Sequence, residues 1–197
     1  MKYKAVFVDL GGVLVLNRAQ EIGKYFEKQY GMGQNKTKDI FRFIQSGQKS
    51  DEEVGSFLKT MEVSKEVWLE YLTKFIETET RNDELFTILN EAQKQGTRIV
   101  YTSNNSASIG KILEKYQIDK LPDLIINSAD AGVSKPDPAF WELSLNETSK
   151  KWPDIGKSEI LVIDDSTVNC DSAIAFGLDA VLYGPKMDDK IKCSLGF

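Results

Sequence analysis

The 197-residue sequence contains no histidine and only two cysteines, Cys170 and Cys193. The lack of histidine excludes histidine-based catalytic triads, phosphohistidine chemistry and zinc sites with histidine ligands. Two cysteines are too few for a disulfide framework or a four-cysteine zinc site. We therefore expect a protein of a reducing compartment, and we predict a cytoplasmic location.

Positive charge is also scarce, because 25 Lys and Arg residues face 30 Asp and Glu residues, which gives a net charge of −5. Nucleic-acid binding requires a basic face, so we expect no nucleic-acid partner. The apolar stretch from Ala5 to Leu16 is interrupted by Asp9, Gly11 and Gly12 and lacks the cleavage pattern of a signal peptide. No stretch approaches the roughly 18 apolar residues that cross a bilayer, so we expect no membrane partner.

Short apolar runs predict a buried sheet. Most are apolar at consecutive positions, which is typical of strands covered on both faces. Helical patterns lie between them, and this alternation predicts an α/β fold: a Rossmann-like parallel sheet core with helices on both faces. The predicted strands are Ala5–Val8, Arg98–Tyr101, Leu124–Ile126, Ile160–Ile163 and Ala180–Tyr183.

One long segment, residues 16–81, shows no convincing strand and roughly four helical stripes. We predict that it forms a small all-helical cap domain, and that residues 1–15 and 82–197 form the core domain. Ligands of open α/β sheets bind beyond the carboxyl ends of the strands, so a cap inserted there would cover the site. We interpret the aromatic stripe of Trp68, Tyr71 and Phe75 as cap core rather than as a substrate platform.

Carboxylates end two of the predicted buried strands. Asp9 follows the first strand and precedes Gly11 and Gly12, a pattern that turn chemistry alone would explain. Asp164 and Asp165 end the fourth strand. Helix capping explains one of these two acids but not both, because adjacent carboxylates repel each other unless a cation compensates.

Two further segments offer groups suited to an anion. Ser103 and Asn104 lie where a strand runs into a helix, and helix N-termini favour anions, although simple N-capping would also explain them. Lys135 precedes Pro136 and Pro138 in a stiff loop, which is more than solubility requires of a lysine. The order of the four segments is a stronger signal than any one of them.

In this order, the chain resembles the haloacid dehalogenase (HAD) superfamily of hydrolases, in its phosphatase type with a helical cap between the first and second motifs. The resemblance implies that Asp9 is the nucleophile that forms an aspartyl-phosphate, and that Ser103, Asn104 and Lys135 bind the phosphoryl group. Ser103 and Lys135 would also be catalytic. Asp9, the Gly11 carbonyl, Asp165 and Asp164 would hold Mg²⁺, with Asp164 acting directly or through water. The fourth motif continues through Asn169, Ala173 and Gly177.

Charge balance supports a metal at this site. Asp9, Asp164 and Asp165 bring three negative charges, and Lys135 with one Mg²⁺ brings three positive charges. Hard oxygen ligands suit Mg²⁺, so we predict it as the cofactor. The expected partner is a small phosphorylated metabolite, with sugar phosphates among the candidates.

Gly11 departs from the family pattern. Many family phosphatases carry a second Asp two residues after the nucleophile as general acid and base, and here no histidine can replace it. Losing such a group costs about 10²–10⁴-fold in rate. Some members that resemble sugar-phosphate phosphatases also carry Asp-x-Gly, so the change does not exclude activity. We expect aryl or anomeric phosphates, with good leaving groups, to suffer least.

Three alternatives remain. Gly11 favours a phosphoester-binding or regulatory protein that keeps the fold without turnover. A 2-haloacid dehalogenase would use the same nucleophile without Mg²⁺, but Asp164 and Asp165 would repel its anionic substrate. A phosphonatase would need a cap lysine that forms a Schiff base. The cap offers several candidates and singles out none: Lys24, Lys28, Lys59, Lys65 and Lys74.

Overall fold

The computed structural model describes residues 2–17, 19–47, 49–106 and 109–196, without the side chains of residues 19 and 20. The strands of the described residues are β1 (Ala5–Val8), β2 (Val15–Leu16), β3 (Thr80–Arg81), β4 (Arg98–Ser103), β5 (Leu124–Asn127), β6 (Ile160–Asp164) and β7 (Asp179–Leu182). The α-helices are α1 (Ala19–Tyr30), α2 (Gln34–Gln45), α3 (Asp51–Thr60), α4 (Lys65–Thr78), α5 (Asp83–Lys94), α6 (Ile109–Lys115), α7 (Ser128–Ala131), α8 (Pro138–Lys151), α9 (Thr167–Phe176) and α10 (Asp188–Leu195).

Five strands form one parallel sheet in the order β5-β4-β1-β6-β7, which confirms the predicted fold class. Val8 of β1 lies between Tyr101 of β4 and Ile163 of β6. Three strands run further than predicted, because β4 includes Ser103, β5 includes Asn127 and β6 includes Asp164, whereas β7 begins and ends one residue earlier than predicted. The ladder therefore carries these polar residues directly to the carboxyl edge of the sheet.

Both faces of the sheet are covered, as the consecutive apolar residues predicted. Val6 and Val8 pack into one apolar cluster with residues of α5, α6 and α10. Ala5 and Phe7 point to the opposite face and pack with residues of α8 and α9. Successive side chains of a strand alternate between faces, so a central strand such as β1 needs apolar residues at every position.

Helices α1 to α4, called the cap here, lie between β2 and β3 and have an apolar core of their own. Its most buried members include Phe26, Ile40, Leu58, Trp68 and Tyr71. The predicted helical insertion is confirmed, whereas its limits at residues 16 and 81 stay a prediction.

The chain enters and leaves the cap through a short antiparallel pair that the sequence did not predict. Val15 of β2 pairs with Arg81 of β3, and two-residue strands are too short to show any periodicity. The next residue, Asn82, fixes this junction to the core. Its amide Nδ2 donates to the Val13 carbonyl at 2.9 Å and to the Tyr183 hydroxyl at 2.6 Å.

The C-terminal segment contains helix α10, which packs against the core. Helix α10 buries Ile191 and Leu195 in the apolar cluster that α5 shares. Phe197 lies outside the described residues. None of the helices in the described ranges has the length and apolar character needed to cross a membrane.

Candidate active site

The sheet order brings three predicted site residues to one point. Asp9 directly follows β1, Ser103 ends β4, and Asp164 ends β6. Because β4 and β6 flank β1, their carboxyl ends place these residues side by side. All three are buried, and Asp164 is fully so.

Lys135 joins this group from a distant loop. Its Nζ lies 2.9 Å from Asp9 Oδ1 and 2.6 Å from Asp164 Oδ2, and it donates to the Thr102 carbonyl at 2.8 Å. Lys135 is only 3% exposed. A buried ammonium needs such partners, because an uncompensated buried charge is costly. The lysine is therefore held in ion pairs with both carboxylates.

Asn104 positions the lysine. Its Nδ2 donates to the Lys135 carbonyl at 2.8 Å, and its Oδ1 accepts from the Lys135 backbone N–H at 2.9 Å. On the other side of the lysine, Asp137 lies just before Pro138 and caps α8 by accepting from the Ala139 N–H. Both the oxygen and the nitrogen of the Asn104 side-chain amide are thus paired with the Lys135 backbone, and its predicted phosphate-binding role stays a prediction.

Asp164 is held by a dense set of donors. Its Oδ1 accepts from the Ser166 backbone N–H at 2.9 Å and from Asn169 Nδ2 at 3.0 Å, and its Oδ2 lies beside Lys135 and Asn169. Asn169, a member of the fourth motif, thus fixes the orientation of this carboxylate from α9. The predicted metal role of Asp164 stays a prediction.

The two glycines after Asp9 serve different purposes. Gly12 has a φ of +80°, and a methyl group on it would lie 2.6 Å from the Asp165 Cγ and would collide with its Oδ2. Glycine at position 12 therefore lets the Asp165 carboxylate approach the first motif. A methyl group on Gly11 would meet no atom within 4 Å. Open space thus lies where a longer side chain at position 11 would extend.

The electrostatics of the site favour a cation. Burial raises the pKa of Asp9 to about 7, although Lys135 opposes the shift and Asp164 and Asp165 add to it. Burial also raises the pKa of Asp165, with help from Asp164. Burial lowers the pKa of Lys135, but Asp9 and Asp164 more than offset this effect and the net shift is upward. One lysine thus pairs directly with Asp9 and Asp164 and only partly offsets the charge of the third carboxylate, Asp165.

The carboxylates are also close enough to share a metal ion. One ligand oxygen each from Asp9, Asp164 and Asp165 lies within 4.8 Å of the others. An all-oxygen set with an excess of two negative charges fits Mg²⁺, a hard divalent cation.

A family model for haloacid dehalogenase-like hydrolases matches residues 3–177, which is most of the chain. The chain belongs to the haloacid dehalogenase-like hydrolase family. The matched segment includes every residue of the site described above, from Asp9 to Asn169. No curated protein sequence matches this hydrolase.

Solved structures share the fold at low sequence identity. A predicted HAD-like family hydrolase from Porphyromonas gingivalis superposes with a TM-score of 0.75 at 19% identity, over 100% of both chains. A HAD family enzyme from Bacteroides thetaiotaomicron, crystallised as an Asp-to-Ala mutant with magnesium and inorganic phosphate, has a TM-score of 0.70 at 20% identity over 93% and 94%. The L-2-haloacid dehalogenase from Xanthobacter autotrophicus has a TM-score of 0.60 at 17% identity over 99% and 84%. These likenesses show the fold of the hydrolase.

A cavity of about 630 Å³ lies between the cap and the carboxylate cluster of this hydrolase. Asp9, Ser103 and Lys135 line its core side. Trp68 and Phe75 of the cap also line it, whereas Tyr71 belongs to the cap core alone. The aromatic stripe therefore contributes to the cap core, as predicted, and two of its three members also face the cavity.

Proposed function

We propose that this hydrolase is a Mg²⁺-dependent phosphatase that cleaves a small phosphomonoester through an aspartyl-phosphate on Asp9. The observation that carries the proposal is the position of the Asp9 carboxylate. It lies on the cavity, 2.9 Å from the Lys135 ammonium and within metal-sharing distance of Asp164 and Asp165. A carboxylate so placed is a nucleophile for phosphorus, and the Lys135 ammonium beside it offers a positive charge to the incoming anion.

In the proposed reaction, an oxygen of Asp9 bonds to phosphorus and the ester oxygen of the substrate departs with its bonding electrons. Lys135 holds Asp9 and adds positive charge near the transferring oxygens, and Ser103 donates its hydroxyl hydrogen to one of them. Water then attacks the aspartyl-phosphate, which releases inorganic phosphate and restores Asp9. The departing alkoxide takes its proton from solvent, because Gly11 carries no acid.

Asp9, the Gly11 carbonyl, Asp165 and Asp164 would hold the metal. Bound Mg²⁺ would neutralise the excess negative charge and attract the phosphoryl group. The same residues argue against dehalogenation, the activity of the structurally similar Xanthobacter enzyme. Asp164 and Asp165 would repel a carboxylate substrate, and dehalogenation needs no Mg²⁺ that would offset their charge.

A second candidate is a phosphoester-binding protein without turnover. The open space at Gly11 favours it, because no acid assists the leaving group. The site keeps the whole ion-pair network of Asp9, Lys135 and Asp164, which binding alone would also use.

Phosphate release from 4-nitrophenyl phosphate tests the proposal, with Mg²⁺ or EDTA, because this leaving group barely needs an acid. Asp9→Asn is the active-site variant. Asp179→Asn is the matched control, because Asp179 begins β7 at the far edge of the sheet and pairs with Lys2. We expect activity that needs both Mg²⁺ and Asp9 and survives Asp179→Asn. Equal turnover by Asp9→Asn would refute the proposal, and metal-dependent phosphate binding without turnover would establish the second candidate.

A further inference from the structure

The cap presents an almost entirely apolar wall to the active-site cavity. Seven residues of helices α2 and α4 line it, and Gln45 is the one polar member among them. The apolar members come from one face of each helix: Phe41, Ile44, Trp68, Leu72, Phe75 and Ile76. A substrate bound to Asp9 therefore directs the group attached to its ester oxygen toward aromatic and aliphatic side chains.

Most polar side chains elsewhere on the cavity wall are already paired within the protein. Glu79 accepts from the Tyr116 hydroxyl at 2.7 Å, and Lys115 donates to that hydroxyl and to the Ile76 carbonyl. Asn105 accepts from the Ser106 N–H at 2.8 Å. A polyhydroxylated ligand would compete with these bonds, and hydroxyl groups buried without partners are costly. The cavity is therefore a poor match for a sugar.

Contacts on two sides hold the cap over the site. Ser128 of the core donates to the Gln45 carbonyl at the end of α2, at 2.7 Å. Lys115 of the core donates to the Ile76 carbonyl near the end of α4, at 3.2 Å. Both helices that form the apolar wall are thus fixed near their C-terminal ends, which keeps the wall opposite Asp9.

From this wall, we infer that the substrate is a phosphomonoester with an aromatic or extended apolar body rather than a polyhydroxylated one. The inference rests on the proposed phosphatase function and narrows it. The absence of an acidic side chain at Gly11 independently favours an aryl ester, because an aryl oxygen is a good leaving group that departs without being protonated.

Binding of phosphonates to the Mg²⁺-loaded protein, measured by calorimetry, tests the inference without turnover. Methylphosphonate reports the anion site alone, benzylphosphonate adds an aromatic body, and 2,3-dihydroxypropylphosphonate adds a polar body. Burial of a phenyl ring against apolar side chains should tighten binding of benzylphosphonate at least about tenfold over methylphosphonate. The dihydroxypropyl compound should gain nothing.

A matched pair of variants on α4 locates the effect. Ile76 lines the cavity and is 46% exposed, whereas Leu69 is 50% exposed and lies about 10 Å along the same helix, outside the cavity. Ile76→Ser should weaken benzylphosphonate about fivefold and leave methylphosphonate unchanged, whereas Leu69→Ser should change neither.

The outcomes separate the two levels of the proposal. Equal affinities for the three phosphonates, or tighter binding of the dihydroxypropyl compound, would overturn the apolar substrate class and leave the phosphatase proposal intact. An equal loss of benzylphosphonate affinity in Ile76→Ser and Leu69→Ser would also overturn it. Failure of every phosphonate to bind with Mg²⁺, together with no phosphate release, would instead count against the phosphatase itself.

Discussion

Under the proposed phosphatase function, Gly11→Asp should speed the hydrolysis of phosphomonoesters with poor leaving groups. A side chain fits at this position, since a Cβ on Gly11 meets no atom within 4 Å. The backbone conformation also accommodates a side chain, because Gly11 does not have the positive φ that favours glycine. The new carboxyl group would stand two residues after Asp9, at the edge of the cavity that Gly11 lines.

The size of the gain follows from the missing proton transfer. General acid catalysis contributes about 10²–10⁴-fold, or roughly 3–5 kcal/mol of the barrier, when the leaving group is a poor one. The added carboxylate also brings a fourth negative charge beside Asp9, Asp164 and Asp165, which weakens anion binding. We therefore expect the lower end of the range, about 10²-fold in kcat for an alkyl phosphate such as phenethyl phosphate.

Steady-state kinetics on an alkyl phosphate and on 4-nitrophenyl phosphate measures the effect in wild type, Gly11→Asp and Gly11→Asn. The Asn variant has nearly the same size and cannot supply the proton, so it controls for steric and backbone effects. We expect a large gain for the alkyl ester, less than about threefold for the aryl ester, and no gain in Gly11→Asn. Equal acceleration of both esters, or a matching gain in Gly11→Asn, would refute the reasoning.

Three further predictions concern the residues that position and charge the site, namely Gly12, Lys135 and Asp9. Gly12→Ala should displace the Asp165 carboxylate and weaken Mg²⁺ binding about tenfold or more by calorimetry. Gly31→Ala, at a φ of +64° with open space around it, should leave Mg²⁺ affinity unchanged, and equal losses in the two variants would argue for strain alone. Lys135→Met leaves the buried Asp9 and Asp164 carboxylates without their cation. In EDTA, this change should lower the free energy of unfolding measured in urea by about 3–5 kcal/mol. A loss under about 1 kcal/mol would contradict a stabilising ion-pair network. Because burial raises the pKa of Asp9 from 3.8 to about 7, the unfolded chain loses this proton at lower pH than the folded protein. As the pH rises from about 4 to 7, the free energy of unfolding of the metal-free protein should therefore fall relative to that of Asp9→Asn, by at most about 1.4 kcal/mol per pH unit. The measurement is urea unfolding at a series of pH values, and the same pH dependence in the two proteins would contradict the raised pKa.

The sheet was readable from the sequence because its strands are buried on both faces. A central parallel strand such as β1 is buried on two faces, so its residues are apolar at consecutive positions in the sequence. The polar residues that end those runs, Asp9, Ser103 and Asp164, stand out for the same reason. Parallel strands bring their carboxyl ends to one edge of the sheet, and the strand order, with β4 and β6 on either side of β1, places these three residues next to one another.

Contacts between segments that are distant in the sequence could not be predicted in this way. The paired hydrogen bonds of Asn104 with Lys135 bridge 31 positions, and no local periodicity encodes them. The β2–β3 pair has two residues in each strand, which is shorter than one period of alternation. The role of Gly12 depends on the side chain of Asp165, which arrives from another strand end. Each of these features exists only after the sheet and the loops are assembled.

Helix α4 shows why the sequence predicted a cap but not its substrate surface. At about 100° per residue, Leu72 and Ile76 lie about 40° and 80° from Trp68 in one direction around the helix. Tyr71 lies about 60° away in the other direction, and Phe75 lies between Trp68 and Tyr71, about 20° from Trp68. All five belong to one broad apolar stripe, yet Tyr71 packs inside the cap and the others reach the cavity. Periodicity defines the stripe and says nothing about which of its edges faces Asp9. The Gln45 and Ile76 carbonyls accept hydrogen bonds from the core, so the edge of the stripe that faces Asp9 depends on tertiary contacts at the ends of the cap helices, which no local periodicity encodes.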